Sequence, residues 1–225
     1  MKYDFRIDMS QYNSLTIILR NIVSQSKVLE FGPAAGYMTC YMKESLGCDV
    51  TCIEIDKEAA AVSSKYCEKM LIADINNMKW TQELAGEEFD HIIFADVLEH
   101  LKNPDRVLLE AGKFLKRCGT ILTSIPNIGH SAIIMDLLQG KFEYRPLGLL
   151  DESHIRFFTR KSIYELLEKA GLQSIEEYSI CLRPEQTEIG QNYRHFSDAV
   201  ACFLENRADA HVYQFVNISK VRQKV

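Results

Sequence analysis

The stretch Val28-Leu29-Glu30-Phe31-Gly32-Pro33-Ala34-Ala35-Gly36 decides how this chain is read. A short apolar run passes into a turn punctuated by two glycines, and residues of helical spacing follow over 37–46. That is the pattern of a buried strand, a tight turn and a helix. Glycines in such a turn let a ligand approach the backbone, and the start of the helix offers free N–H groups. A turn built for a dinucleotide pyrophosphate reads G-x-G-x-x-G. Here only Gly32 and Gly36 are present, and an acid, Glu30, precedes the first. A carboxylate in that place suits a ligand with a cationic amino-acid end better than one with two phosphates.

Outward from this turn the same alternation repeats. Apolar, β-branched runs at 27–31, 49–55, 70–73, 90–95, 119–125, 172–182 and 211–219 read as seven strands. Helical segments are expected at 57–69 behind the N-cap Asp56, at 104–116 behind Pro104, at 161–170 before Gly171, and near 196–206. Strands alternating with helices predict an α/β fold, a doubly wound and mostly parallel seven-stranded sheet. The segment 128–158 breaks the rhythm with a short helix (131–138) followed by Gly140, Pro146 and Gly148. It reads as a small insertion or lid after strand five. Residues 1–26 read as an N-terminal helical cap in which Tyr3, Tyr12 and a helix over 15–23 cover the ligand cavity. The whole of 1–225 is expected to be one domain.

With 225 residues and 47% hydrophobic content the chain can bury a sizeable core. A formal charge of −5 gives no footprint for a phosphate backbone, and Lys220, Arg222 and Lys224 are too sparse for a basic arm. Nucleic acid is therefore not an expected partner. Seven cysteines without a C-x-x-C pair suit a reducing cytoplasm, with most of the thiols packed as small hydrophobes. No apolar run reaches the roughly 20 residues that span a bilayer, and Met1–Arg6 lacks a signal peptide's apolar stretch.

Further motifs follow the first turn. Glu54 ends strand two, Asp74 follows strand three, and Phe89-Asp90-His91-Ile92-Ile93-Phe94-Ala95-Asp96-Val97-Leu98-Glu99-His100-Leu101 leads to Asn103-Pro104. Gly119-Thr120-Ile121-Leu122-Thr123-Ser124-Ile125-Pro126-Asn127 comes next, then His154-Ile155-Arg156-Phe157-Phe158-Thr159 and Ala170-Gly171-Leu172. Over about residues 27 to 180 these segments resemble the class I S-adenosylmethionine (SAM) dependent methyltransferases, and among them the ubiquinone-biosynthesis-like family. Ala34 stands where the family's first motif usually has its middle glycine, and Cys118 replaces a glycine before strand five. From Asn127 to Thr159 the chain looks most like methyltransferase domains that accompany bacterial polysaccharide glycosyltransferases, which suggests a sugar-related acceptor.

The resemblance implies a Rossmann-like methyltransferase fold, SAM as cofactor, S-adenosylhomocysteine (SAH) as product, and a small-molecule acceptor. It assigns Glu30, Gly32 and Gly36 to the methionine end, Glu54 with Ile55 to the ribose hydroxyls, and Asp74 with Ile75 to the adenine. Asp96 is counted with them as a cofactor-binding residue. Asp56 competes with Glu54 for the ribose but is better placed as a helix cap. Methyl transfer from a sulfonium needs alignment above all, and a base only for a hydroxyl acceptor. His100, His130 and His154, near the carboxyl ends of the strands, are the candidate catalytic groups. Similar E-x-x-E-H segments bind a metal in some relatives, which makes Asp96, Glu99 and His100 with His130 or His154 a possible ligand set; no metal is assigned. Arg145 and Arg156 are candidate anion binders, and the apolar residues of 142–158 form either a lid or a satellite core.

Two other functions share the architecture. A nicotinamide-dependent oxidoreductase or epimerase lacks here both the three-glycine turn and a Tyr-x-x-x-Lys pair. A non-catalytic SAM-binding module fits Ala34, but the acids at 30, 54, 74 and 96 speak against it.

Overall fold

The computed structural model describes residues 7–222; Met1–Arg6, with Tyr3, and Lys224 fall outside the described residues. Helix α1 (Ser14–Arg20) precedes strand β1 (Lys27–Phe31), α2 (Tyr37–Glu44), β2 (Asp49–Glu54), α3 (Lys57–Ser63), β3 (Lys69–Ile72), α4 (Trp80–Glu83) and β4 (Phe89–Ala95). Then come α5 (Pro104–Ala111), β5 (Leu115–Pro126), α6 (Ser131–Leu138), α7 (Arg160–Lys169), β6 (Leu172–Cys181), α8 (Asp198–Glu205) and β7 (Val212–Val221). The strands form one sheet in the order β3-β2-β1-β4-β5-β7-β6. The five strands from β3 to β5 run parallel, and β7 enters antiparallel between β5 and β6. The expected seven-stranded α/β sheet is therefore the observed one.

β1 and β4 are buried on both faces, as central parallel strands must be. One core packs Phe31, Phe89, Phe94, Val107 and Leu167 on one side of the sheet; the other packs Ile18, Leu19, Met42, Val50 and Ile93. Because every parallel strand runs the same way, the ends of β1, β2, β3 and β4 deliver Glu30, Glu54, Asp74 and Asp96 to one edge of the sheet.

Two helix ends and one additional helix differ from expectation. The helix expected over 57–69 stops at Ser63, because Glu68 N–H bonds Val50 O and draws the chain into β3. The helix expected to reach 116 stops at Ala111, because Leu115 already pairs with Phe89. Helix α4 was not expected; its Trp80 is fully buried and donates Nε1–H to Ile75 O. Of the cysteines, all free, Cys48, Cys52 and Cys67 are buried while Cys118, Cys181 and Cys202 are exposed, fewer in the core than composition suggested. No helix among the described residues is long and apolar enough to cross a membrane.

Candidate active site

The turn after β1 is held by its neighbours. Gly32, Ala34 and Gly36 all have positive φ, at 66°, 48° and 80°. A Cβ at Gly32 would come within 2.9 Å of Val97 Cγ2, and one at Gly36 within 2.8 Å of Ser63 Cβ, so both positions need glycine for packing as well as for conformation. Gly36 is the N-cap of α2 and supplies no side-chain cap. Glu54 closes the turn from β2: its Oε2 accepts Ala34 N–H at 3.1 Å while Oε1 accepts Ile55 and Asp56 N–H at 2.8 and 2.9 Å. Asp56 instead caps α3, accepting from Glu58 and Ala59 N–H, the role expected for it. Asp74 accepts from the backbone and side chain of Asn76 and begins a one-turn helix that contains Ile75.

Glu30 is the unusual member of this wall. It is 1% exposed; Oε2 accepts from Thr39 Oγ1 at 2.6 Å, and Oε1 has no partner. Burial without enough donors pushes its pKa up to about 7. Glu30 and Asp96 line a cavity of about 170 Å³ together with Gly32, Tyr37 and the first residues of α1, Ser14 and Leu15. The start of helix α1 thus stands in the wall of this cavity.

The segment after β4 forms the second wall. Asp96 adopts φ 54° and is accessible from the cavity, with its Oδ1 accepting from Ser124 Oγ and from Gln214 Nε2. Enclosure by the surrounding chain raises its pKa to about 6. Glu99 is 1% exposed and neither carboxylate oxygen has a partner. Burial, and after it the charge of Asp96, hold it well above the usual carboxylate range. Its carbonyl accepts Ile155 and Arg156 N–H, both at 3.0 Å, which fastens the insertion to the end of β4. That contact brings His154 in: its Nε2 lies 3.9 Å from Glu99 Oε1, and its ring is 4.9 Å from that of His100. Burial, then the neighbouring His100, lowers the pKa of His154. His100 Nδ1 faces Ser153 O at 3.2 Å. One ligand atom each from Glu99, His100 and His154 lies within 4.8 Å of the others, a set that could hold a metal ion.

Of the three candidate histidines, the structure brings His100 and His154 together and leaves His130 out. His130 is fully buried; Nδ1 accepts Ala132 N–H at 3.1 Å as the N-cap of α6, and Nε2 bonds Leu182 O at 2.9 Å. With both nitrogens engaged it is a structural residue. Asp96 does not join the metal-ligand set either. Arg145 and Arg156 are also turned to other ends, donating to the carbonyls of Glu188 and Lys102. Leu149 and Leu150 pack on Ile133 as a satellite core, and Phe158 joins the main core, while Phe142, Tyr144 and Leu147 stay exposed. Sequence reading missed Gln214: nothing in the order of residues ties the end of the chain to Asp96.

A family model described as a methyltransferase domain matches residues 10–177. An uncharacterised protein of Methanocaldococcus jannaschii is 26% identical over 178 residues, 78% of this chain and 79% of that one. The ubiquinone biosynthesis O-methyltransferase of Cereibacter sphaeroides is 27% identical over 163 residues, 70% of this chain but only 64% of that enzyme's length. In fold, a SAM dependent methyltransferase from Archaeoglobus fulgidus superposes with a TM-score of 0.62 at 16% identity, covering 92% of this chain and 90% of the other. The [4+2]-cyclase SpnF superposes with 0.60 at 14% identity, over 93% and 81%.

Proposed function

The chain belongs to the class I SAM-dependent methyltransferase family, and on that premise we propose that it moves a methyl group from SAM to an oxygen or nitrogen atom of a small-molecule acceptor. The observation that carries this reading is Glu30, a buried carboxylate with one oxygen facing no donor, in the wall of a cavity beside the turn after β1. An unpaired carboxylate in a low-dielectric site calls for a cationic hydrogen-bond donor. The ammonium of a methionine end is such a group; a pyrophosphate is not. The fold alone leaves the reaction open, since a cyclase shares it.

When bound, SAM supplies a methyl group on a sulfonium, a leaving group that needs no protonation. Glu30 would hold the ammonium, and Glu54 the ribose hydroxyls with the lone pairs that its three backbone donors leave over. Asp74 and the Ile75 backbone are the residues for the adenine. His100 turns Nδ1 to the Ser153 carbonyl, and its Nε2 is the atom that would take the proton of a hydroxyl acceptor. The sugar-related acceptor implied by 127–159 belongs to this proposal.

One observation favours an added component. Both oxygens of Glu99 are buried and unpartnered beside two imidazoles, an arrangement that a divalent cation bound by Glu99, His100 and His154 would satisfy. Chelator-treated protein titrated with Co(II) is expected to develop a visible absorption that Glu99→Gln abolishes; no absorption in the parent protein ends this second reading.

The leading reading is tested by thermal shift with SAM, SAH, NAD and NADP. Stabilisation by SAM and SAH is expected. Stabilisation by a nicotinamide cofactor alone would overturn it, and binding of SAH with no turnover across a screen of sugar, amine and phenol acceptors would favour a non-catalytic module.

A further inference from the structure

β7 lies outside the matched segment, which ends at residue 177, yet one of its side chains reaches the cavity wall. Gln214 is 8% exposed and pairs with Pro126 at the end of β5, which sets its amide beside Asp96. Its Nε2 donates to Asp96 Oδ1, the same oxygen that accepts from Ser124 Oγ at 3.0 Å. The Asp96 backbone N–H is held as well, by Ser124 O and Ser124 Oγ at 3.2 and 3.1 Å. These contacts fix a left-handed, non-glycine residue that would otherwise relax. With both side-chain donors on Oδ1, Oδ2 is left for the cavity that Asp96 lines.

We propose that Gln214 is a positioning residue that orients Asp96 through its hydrogen bond to Oδ1, so that Oδ2 is presented to the bound cofactor or to a hydrogen-bond donor on the acceptor. The proposal rests on the methyltransferase reading for its functional consequence, though the Gln214 to Asp96 linkage belongs to the free protein. Two donors oppose the effect of enclosure on the Asp96 carboxyl. Among the described residues, the other titratable groups around it are Glu30 from β1, Tyr37 from α2, Glu99 and His100 from the turn after β4, and Tyr213 from β7. None of them is an aspartate, so carboxyl labelling of aspartate reads Asp96 apart from its acidic neighbours.

The experiment uses the full chain labelled with 13C at the aspartate carboxyl carbon, the Asp96 signal being the one absent from Asp96→Asn. In Gln214→Met, which keeps the side chain's length and removes the donor, the Asp96 midpoint is expected to rise by about one pH unit, a tenfold change in proton affinity. An unmoved midpoint in a folded Gln214→Met protein overturns the proposal. Should that variant not fold, Gln214→Asn, whose shorter amide cannot reach, gives the same reading. SAH affinity measured by calorimetry then tests the consequence: Gln214→Met and Asp96→Asn should each weaken it severalfold, and the double variant no more than Asp96→Asn alone. Full additivity would show that Gln214 does not act through Asp96. Parent protein that binds neither SAM nor SAH would remove the methyltransferase reading while leaving the linkage measurable in the carboxyl spectra.

Discussion

Ala34 holds a backbone conformation that glycine adopts without cost, at φ 48°. A Cβ there costs about 1–2 kcal/mol, partly offset by the greater freedom that glycine has when unfolded. Ala34→Gly is therefore expected to raise stability by about 0.5–1 kcal/mol, read by urea denaturation. Glu30 gives a pH dependence whose sign is fixed by its raised pKa of about 7. In the unfolded chain it ionises near the ordinary glutamate value, so between about pH 4.5 and 7 the folded state holds the extra proton. Stability of the ligand-free protein should fall as pH rises through that window, by up to roughly 2–3 kcal/mol, and Glu30→Gln should flatten the slope. A cationic end bound at Glu30 favours the ionised form, so SAH affinity should strengthen from pH 6 to 8 in the parent protein but not in Glu30→Gln. At this scale the sequence showed which acids stand at the strand ends, since a carboxylate after an apolar run is visible in one dimension. It could not show that one oxygen of Glu30 and both of Glu99 lack donors, because partners are a property of the packed neighbourhood.

Helix α6 illustrates what an element does with a residue that looks chemical. His130 was a candidate base by position, yet it caps α6 and ties it to Leu182 at the end of β6. His130→Ala removes both bonds in a fully buried site and is expected to cost about 2–3 kcal/mol by urea denaturation, with SAH affinity unchanged. Loss of SAH binding without loss of stability would return His130 to the active site. Element positions were readable where punctuation is local: Asp56, Pro104 and Gly171 each mark the boundary expected of them. The ends of α3 and α5 were not, because partner strands, and not local propensity, pull residues 68 and 115 into the sheet. Helical spacing continues past both points and carries no mark of the competing strand.

For the whole molecule, the strand order decides more than the strand count. β7 is interior, with β5 on one side and β6 on the other, so the segment that matches the family model does not contain the whole sheet. A chain cut after residue 181 would leave β6 without β7, its one neighbour among the described residues, and expose the long edge of β5. Such a truncation is expected to aggregate or to show no cooperative thermal transition; a monomeric, cooperatively melting fragment that binds SAH would contradict this. Seven alternating runs were enough to predict the α/β sheet, but the antiparallel insertion of the last strand depends on a return path that alternation does not encode.

The same interior strand bears on biosynthesis. About 30 residues separate the end of β6 from the start of β7, and at roughly 5–20 residues per second β6 emerges some seconds before the strand it must pair with. During that interval the parallel half can form while β6 has no partner. The ribosome therefore delivers Gln214 after the other residues assigned to the cavity, and a nascent chain acquires the fixed Asp96 carboxylate only once β7 has been made.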